Sequence, residues 1–358
     1  MDIQHAGEKY LKPLVSLIEG DQNQKTFEKY LSGLILENER FSTLEINEKT
    51  QEKELSQLYY FLEQTINWRK LLYTQAKAYL QDNNMEDFYL VIDSTPLKQK
   101  YAEYRITKNS FVNISVNISE MKNVPNNEII GLYLTNGEIY NPLEFKFWSS
   151  SKVEMKENYK KKPGMLIEFL QYYGMNGIPV KKAVFDNFFA SAANLKWLIS
   201  NEYTFITRLK SNKIVFIDNN RYVLGEIGLN DGESIICQLQ GIHENMKILK
   251  FWHQNEEYYI VTNDLEMTDD TLKKEYLARW EVEVFHRESK QKLGLEKMLV
   301  RSFRRLINRV GLICVVYGFL SGLKQQLNTS IGGVKRKIQN FMYSTQDSAD
   351  RLACLSFS

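Results

Sequence analysis

Apolar positions in residues 1 to about 85 recur at helical spacing, as in YLKPLVSLI, FEKYLSGLIL and LSQLYYFLEQTINWRKLLYTQAKAYL, and a single proline interrupts them. This predicts a helical N-terminal region. The period then changes. FYLVID, residues 88–93, is a short apolar run tipped by an acid, as expected of a buried strand. FVNISVNIS, residues 111–119, alternates Val112, Ile114, Val116 and Ile118 with Asn and Ser, which predicts a half-buried strand. IIGLYLTNGEIYNPLEFKFW reads as a hairpin about Asn136 and Gly137, residue types that tolerate positive φ. A helix (PGMLIEFLQYYG), a second acid-tipped strand (KAVFDN, ending at Asp186), a helix (SAANLKWLISN) and a strand (YTFITRL) follow. Short strand-like pieces fill 211–262, and helices resume to about Leu327. The resulting segments are 1–85 (helical), 86–210 (first part of an α/β core), 211–262 (β-rich insertion), 263–327 (second part of the core, ending in helices) and a polar tail, 328–358. The fold class is mixed α/β, of the α+β kind.

One helical stretch, YLARWEVEVFHRESK at 276–290, carries polar residues where an apolar stripe is expected. Tyr276, Arg279, Glu283 and Lys290 share one side of a continuous helix, next to an apolar stripe of Leu277, Trp280 and Val284. That spacing puts a phenol, a carboxylate and two cations at the rim of the core.

Composition removes several classes. Val310–Leu323 is apolar but shorter than the roughly 20 residues of a membrane span, so it is expected to be a core helix. The N-terminus lacks the basic-then-apolar pattern of a signal peptide, and Cys237, Cys314 and Cys354 form no CxxC pair; a reducing cytoplasm is the expected location. Net charge is only +2, but Thr271–Val310 holds eleven Lys or Arg against five Glu, and a second basic cluster runs from Lys152 to Lys162. Either cluster alone reads as a solvated face; together they make phosphate binding plausible. There is no HExxH pair among the four histidines and no glycine-rich phosphate loop.

Asp93 and Asp186 at strand ends, with Glu283 on a later helix, would converge on one edge of a sheet. Taken singly, each aspartate reads as a cap or turn residue and Glu283 as a salt-bridge partner of Arg279 or Arg287. Jointly, carboxylates so placed need a positive charge among them, and oxygen-only ligation suits Mg²⁺ or Mn²⁺. Two such ions can activate an attacking water or hydroxyl and stabilise the leaving oxygen of an in-line phosphoryl displacement. His286 could position water or phosphate, the plainer reading being a surface histidine; Trp252, in the insertion, could stack on a flipped base, the plainer reading being a core residue.

The spacing Y-x2-R-x3-E-x6-K made by Tyr276, Arg279, Glu283 and Lys290, with Asp93 in VIDST and Asp186 in VFDNFFAS upstream, resembles the YREK signature of the insertion sequence 4 family and related bacterial DDE transposases. The resemblance covers roughly residues 86–325. It implies an RNase H-like catalytic core interrupted by a β-rich insertion, Asp93, Asp186 and Glu283 as catalytic metal ligands, and Tyr276, Arg279 and Lys290 as holders of DNA phosphates, with Arg287 and Trp252 as further DNA contacts. It also implies double-stranded DNA as partner, both transposon ends and target, and cut-and-paste transposition. Paired ends imply a homodimer on DNA. The rival expectations are an RNase H-like nuclease or resolvase without strand transfer, and a catalytically silent DNA-binding protein. The helical region 1–85 is a candidate DNA-binding segment.

Overall fold

The helical pattern of the first 85 residues condenses into α1 (Ile3–Tyr10), α2 (Lys12–Val15), α3 (Asp21–Leu36), α4 (Thr43–Thr50), α5 (Leu55–Phe61) and α6 (Trp68–Asp82). Then come β1 (Tyr89–Lys98), β2 (Asn113–Asn117), β3 (Lys122–Thr135), β4 (Tyr140–Trp148), α7 (Lys162–Met175), β5 (Lys182–Phe185), α8 (Ala192–Ser200) and β6 (Thr204–Leu209). The insertion supplies β7 (Ile214–Ile217), β8 (Asn220–Val223), β9 (Ser234–Leu239), β10 (Asn245–His253) and β11 (Glu256–Thr262). The chain continues through α9 (Asp269–Ala278), α10 (Glu281–Lys292), α11 (Phe303–Gln326) and α12 (Ile331–Ser344). The structure, a computed structural model, describes residues 3–50, 55–98, 113–117, 122–148, 161–297 and 302–344. The basic cluster Lys152–Lys162 falls outside them except for Lys161 and Lys162, as does Cys354.

The chain divides into two compact units: residues 1–84, 94–157 and 284–358 form one, and residues 85–93 and 158–283 the other. The first is organised around α11, buried from Val310 to Leu323. This helix extends well past the apolar run read from the sequence and is long enough to cross a membrane, yet 94% of its most apolar window is buried inside the protein. It is a core helix. Gly311 lets Trp68 lie against its backbone, where a Cβ would come within 2.0 Å of the indole. The seam between α6 and α11 is then pinned by polar side chains that would be costly to bury unpaired. Trp68 Nε1 donates to Asn308 Oδ1 at 2.8 Å, Gln75 Nε2 to the Val315 carbonyl at 3.0 Å and Tyr79 Oη to the Gly318 carbonyl at 2.9 Å. β3 and β4 pair antiparallel about the Asn136-Gly137 turn, with Gly137 at φ 90° and Asn136 Oδ1 accepting from the amides of Glu138 and Ile139. The stretch expected to be a polar tail contains α12, which buries Ile331, Val334, Ile338 and Met342.

In the second unit a mixed sheet runs in the order β1, β5, β6, β11, β10, β9, β7, β8. β1, β5 and β6 are parallel, with α8 connecting β5 to β6; β11 then pairs antiparallel with β6. The insertion is built from hairpins whose two-residue turns, Asp218-Asn219 and Gln254-Asn255, both take positive φ as type I′ geometry requires. α9 is started by Thr268, whose side chain accepts from the Thr271 amide, with Asp269 and Asp270 favourably placed in the first turn.

Candidate active site

The parallel ladder of β1 and β5 ends with Ile92 opposite Phe185, so the next residue on each strand is an aspartate, Asp93 and Asp186. Their approach follows from the register alone: two apolar strands aligned side by side bring both acids to the same end of the ladder. β1 does not end at Asp93, as its sequence predicts, but continues to Lys98. Asp186 does follow the end of β5, in extended backbone that leads into a short 3-10 turn, and its side chain makes no capping bond there.

The helix expected over 276–290 is broken. α9 ends at Ala278, and i to i+3 bonds (Arg279 N to Tyr276 O, Trp280 N to Leu277 O, Val282 N to Arg279 O, Glu283 N to Trp280 O) turn the chain into α10. The break reorders burial. Leu277, Trp280 and Val284, the expected apolar stripe, are only half-buried, whereas Tyr276 is 2% and Arg279 8% exposed. Arg279 sits deeper than the apolar residues because the carboxylate at the end of the β1–β5 ladder receives its guanidinium. Arg279 Nη1 lies 2.9 Å from Asp93 Oδ2, and its Nη2 lies 3.8 Å from Glu283 Oε1. Burial opposes the guanidinium charge, but Asp93, with Tyr276, Asp186 and Glu283 behind it, outweighs burial and holds the Arg279 pKa above its usual range.

The Tyr276 ring is 5.6 Å from the Arg279 guanidinium carbon. Its hydroxyl is buried without a hydrogen bond, as is Arg279 Nε. Burial, offset in part by Arg279 and reinforced by Asp186, pushes the Tyr276 pKa up to about 12. The phenol is therefore a proton donor at neutral pH. Glu283 is the outlying acid, with its side chain 58% exposed on the first turn of α10. Among the described residues no group of three or more His, Cys, Asp or Glu side chains stands close enough together to hold a metal ion. Asp93 and Asp186 thus stand at neighbouring strand positions, while Glu283 and Asp93 each pair with Arg279.

The remaining predicted residues lie as follows. Lys290, on the last turn of α10, donates to the Pro96 carbonyl at 3.1 Å and pairs with Glu296 at 2.9 Å. Arg287 is exposed. His286 is not a surface residue: it is 8% exposed, neither ring nitrogen has a hydrogen-bond partner, and burial first, Lys290 second, lower its pKa to about 3. It is a neutral packing residue. Trp252, for which a core position was the plainer expectation, is 51% exposed on β10, opposite Glu257 of β11.

Sequence reasoning missed Arg208. From β6 its guanidinium lies over the Tyr258 ring at 3.9 Å, donates to the Glu257 carbonyl at 3.0 Å and approaches Glu256 at 3.5 Å. Tyr258 in turn faces Tyr276 and Trp280, with ring centres 6.1 Å away in each case, and Trp280 packs on His253 at 4.4 Å. This aromatic layer ties the insertion to the Tyr276–Arg279 turn. The available signal was a lone arginine in an otherwise apolar strand, TFITRL; its partners lie about fifty residues away in sequence, beyond the reach of periodicity.

A profile of the family described as "Archaeal putative transposase ISC1217" matches residues 105–333, well over half of the chain. The match begins after Asp93 and takes in Asp186, Tyr276, Arg279, Glu283 and Lys290. Among solved structures, piggyBac transposase in its synaptic complex with hairpin DNA aligns with a TM-score of 0.54 at 12% identity, covering 99% of this chain and 78% of that one. At that identity the likeness concerns the fold, a mixed α+β arrangement with a large sheet and flanking helices. Marinitoga piezophila Argonaute in complex with 5′ OH guide RNA and target DNA aligns over 55% of this chain and 26% of its own, at 15% identity and a TM-score of 0.23, too low to bear on the fold. Comparison with curated proteins finds no match.

Proposed function

The chain belongs to the archaeal ISC1217 transposase family, DDE-type enzymes that cleave DNA, and from that premise we propose that it is a metal-dependent cut-and-paste transposase with Asp93, Asp186 and Glu283 as its catalytic acids. The observation that carries this reading is the pair of aspartates one step past the end of the β1–β5 ladder, with Asp93 joined to Glu283 through a buried arginine. Acids at the ends of adjacent parallel strands, followed by a β-rich insertion and then a glutamate on a helix, support an RNase H-like core with a YREK-type arrangement. The donor chemistry suits Mg²⁺ or Mn²⁺, since all three are carboxylate oxygens, and the Arg279 guanidinium already holds a positive charge between Asp93 and Glu283. When bound, two such ions would supply the charge that activates a water or 3′-hydroxyl and steadies the leaving oxygen.

The protein's own residues supply positioning. Arg279, drawn off Asp93 towards a phosphate, would bring its buried charge to the scissile group; Tyr276, kept protonated, can donate a hydrogen bond to the same oxygens. Lys290 and Arg287 add phosphate contacts that fix register without reading sequence, and exposed Trp252 is available to stack on a base. The partners are transposon ends and target DNA. One solved structure of similar fold is a synaptic complex with hairpin DNA, which supports paired ends and hence a homodimer on DNA.

The test is cleavage and joining of DNA carrying the element's own ends. Both steps should require Mg²⁺ or Mn²⁺, and Asp93→Asn, Asp186→Asn and Glu283→Gln should each abolish nicking while leaving end binding within a few-fold. Full activity in excess EDTA would overturn the metal assignment. Nicking without joining would identify a nuclease instead.

A further inference from the structure

Directly after Asp186 the chain reads Asn187-Phe188-Phe189, and its two phenylalanines have opposite fates. Phe189 is 1% exposed, whereas Phe188 is 49% exposed. The turn that displays Phe188 is fixed on every side. Phe189 N bonds Asp186 O at 3.0 Å, Ala190 N bonds Asn187 O at 3.1 Å, and Ser191 N bonds Phe189 O at 2.9 Å. The buried Asn194 side chain donates to the carbonyls of Phe189 and Pro163 at 2.9 and 2.8 Å. The two rings meet edge to face, 5.6 Å apart, and Lys162 Nζ lies 5.1 Å from the Phe188 ring centre. The fold thus holds a large apolar side chain half in water, on a rigid mount two residues from an acid. What sets Phe188 apart from other exposed apolar side chains is this mount, next but one to Asp186.

We infer that Phe188 is a stacking platform for an unpaired base of the DNA strand processed at Asp186. This rests on the proposed transposase reading, which puts a scissile phosphate at Asp186. An isolated aromatic face cannot stack on a base inside a duplex, which offers only its edges and phosphates; it can stack on one that has left the helix. A single ring held at fixed orientation suits one base rather than a protein partner, which would need a contiguous apolar patch. Lys162, over the same ring, places a cation where a phosphate of the stacked nucleotide can be met.

The experiment uses the full chain in EDTA, so that no strand is cut, and two probes: a blunt duplex, and the same duplex with a three-nucleotide 3′ overhang carrying 2-aminopurine. Wild type should prefer the overhang and alter the 2-aminopurine emission on binding. Phe188→Ala should lose about 5- to 150-fold of its affinity for the overhang, the range that removing one base-stacking contact gives, with blunt-duplex affinity and thermal unfolding unchanged; Phe188→Trp should restore both preference and emission change. Overhang binding by Phe188→Ala equal to wild type, or failure of Phe188→Trp to restore it in a normally folded protein, would overturn the platform while leaving the transposase reading intact. Absence of binding to either probe by wild type would instead defeat the DNA-processing reading, and the platform with it.

Discussion

Replacing Arg279 with alanine removes the guanidinium 2.9 Å from Asp93 and 3.8 Å from Glu283. At 2.9 Å and an effective dielectric constant of about 20 the Asp93 attraction alone is about 6 kcal/mol before desolvation is subtracted. The Arg279 and Asp93 side chains are only 10% and 16% exposed, so the pair counts as buried. Breaking such a pair from one side costs about 3–5 kcal/mol because the other charge stays behind. The Glu283 contact adds little: its carboxylate is 58% exposed and screened. Without metal, Arg279→Ala should therefore lose about 3 kcal/mol, or roughly 6–12 °C in Tm at about 2–4 °C per kcal/mol. With metal the sign reverses. Guanidinium and divalent cation compete for the same Asp93 oxygen, and deleting the competitor should tighten Mn²⁺ binding, about tenfold for each 1.4 kcal/mol of competition removed. The assay is thermal unfolding of both proteins in EDTA and across a Mn²⁺ titration, with isothermal calorimetry for affinity. Arg279→Ala should start lower and rise further. Equal Tm values in EDTA together with an unchanged Mn²⁺ affinity would refute the reasoning, since they would mean that the pair neither supports the fold nor excludes the ion.

Three further outcomes are expected. His286 has a folded-state pKa of about 3 against 6.5 for a free histidine, so the stability it contributes is complete above pH 6.5 and is lost as pH falls from there towards 3; at pH 5 the loss is about 2 kcal/mol, and urea unfolding of His286→Leu should show a flatter pH dependence over that range. Gly311→Ala should destabilise by several kcal/mol, because its Cβ would stand 2.0 Å from the Trp68 indole; a chemical unfolding curve that matches wild type would show that α6 and α11 can separate at no cost. Lys290→Ala should leave Tm nearly unchanged, its ion pair with Glu296 being partly exposed, while the salt dependence of end binding becomes shallower by about one counterion, read from affinity against salt concentration.

Much of the secondary structure was legible because it is encoded locally. The short strand-like pieces of the insertion, the Asn136-Gly137 turn and the apolar run from Phe88 each depend on neighbours within a few residues, and each forms where the pattern places it. The candidate acids were legible for a related reason, since each directly follows a short apolar run that the sheet buries. The polar row at 276–290 was half legible. Its spacing singled out Tyr276 and Arg279, but the pattern assumed an unbroken helix with the polar row at the rim of the core, whereas the helix breaks at Arg279 and both residues are buried.

What the sequence by itself determined is therefore the set of local elements and the chemistry they carry: helices first, a core of acid-tipped strands, a β-rich insertion, and a phenol, a guanidinium and a carboxylate at fixed spacing. Only the tertiary structure decided which of these groups are buried and what they meet. Arg279 and Asp93 are 186 residues apart; Arg208 finds Tyr258 across an intervening pair of hairpins, and His286 is enclosed by surroundings that its own helix does not reveal. Periodicity reports which side of an element is apolar. It is silent on whether a charge lies opposite, and a buried ion pair makes the deepest position a polar one, because the attraction between opposite charges in a poorly screened site offsets the cost of taking both out of water.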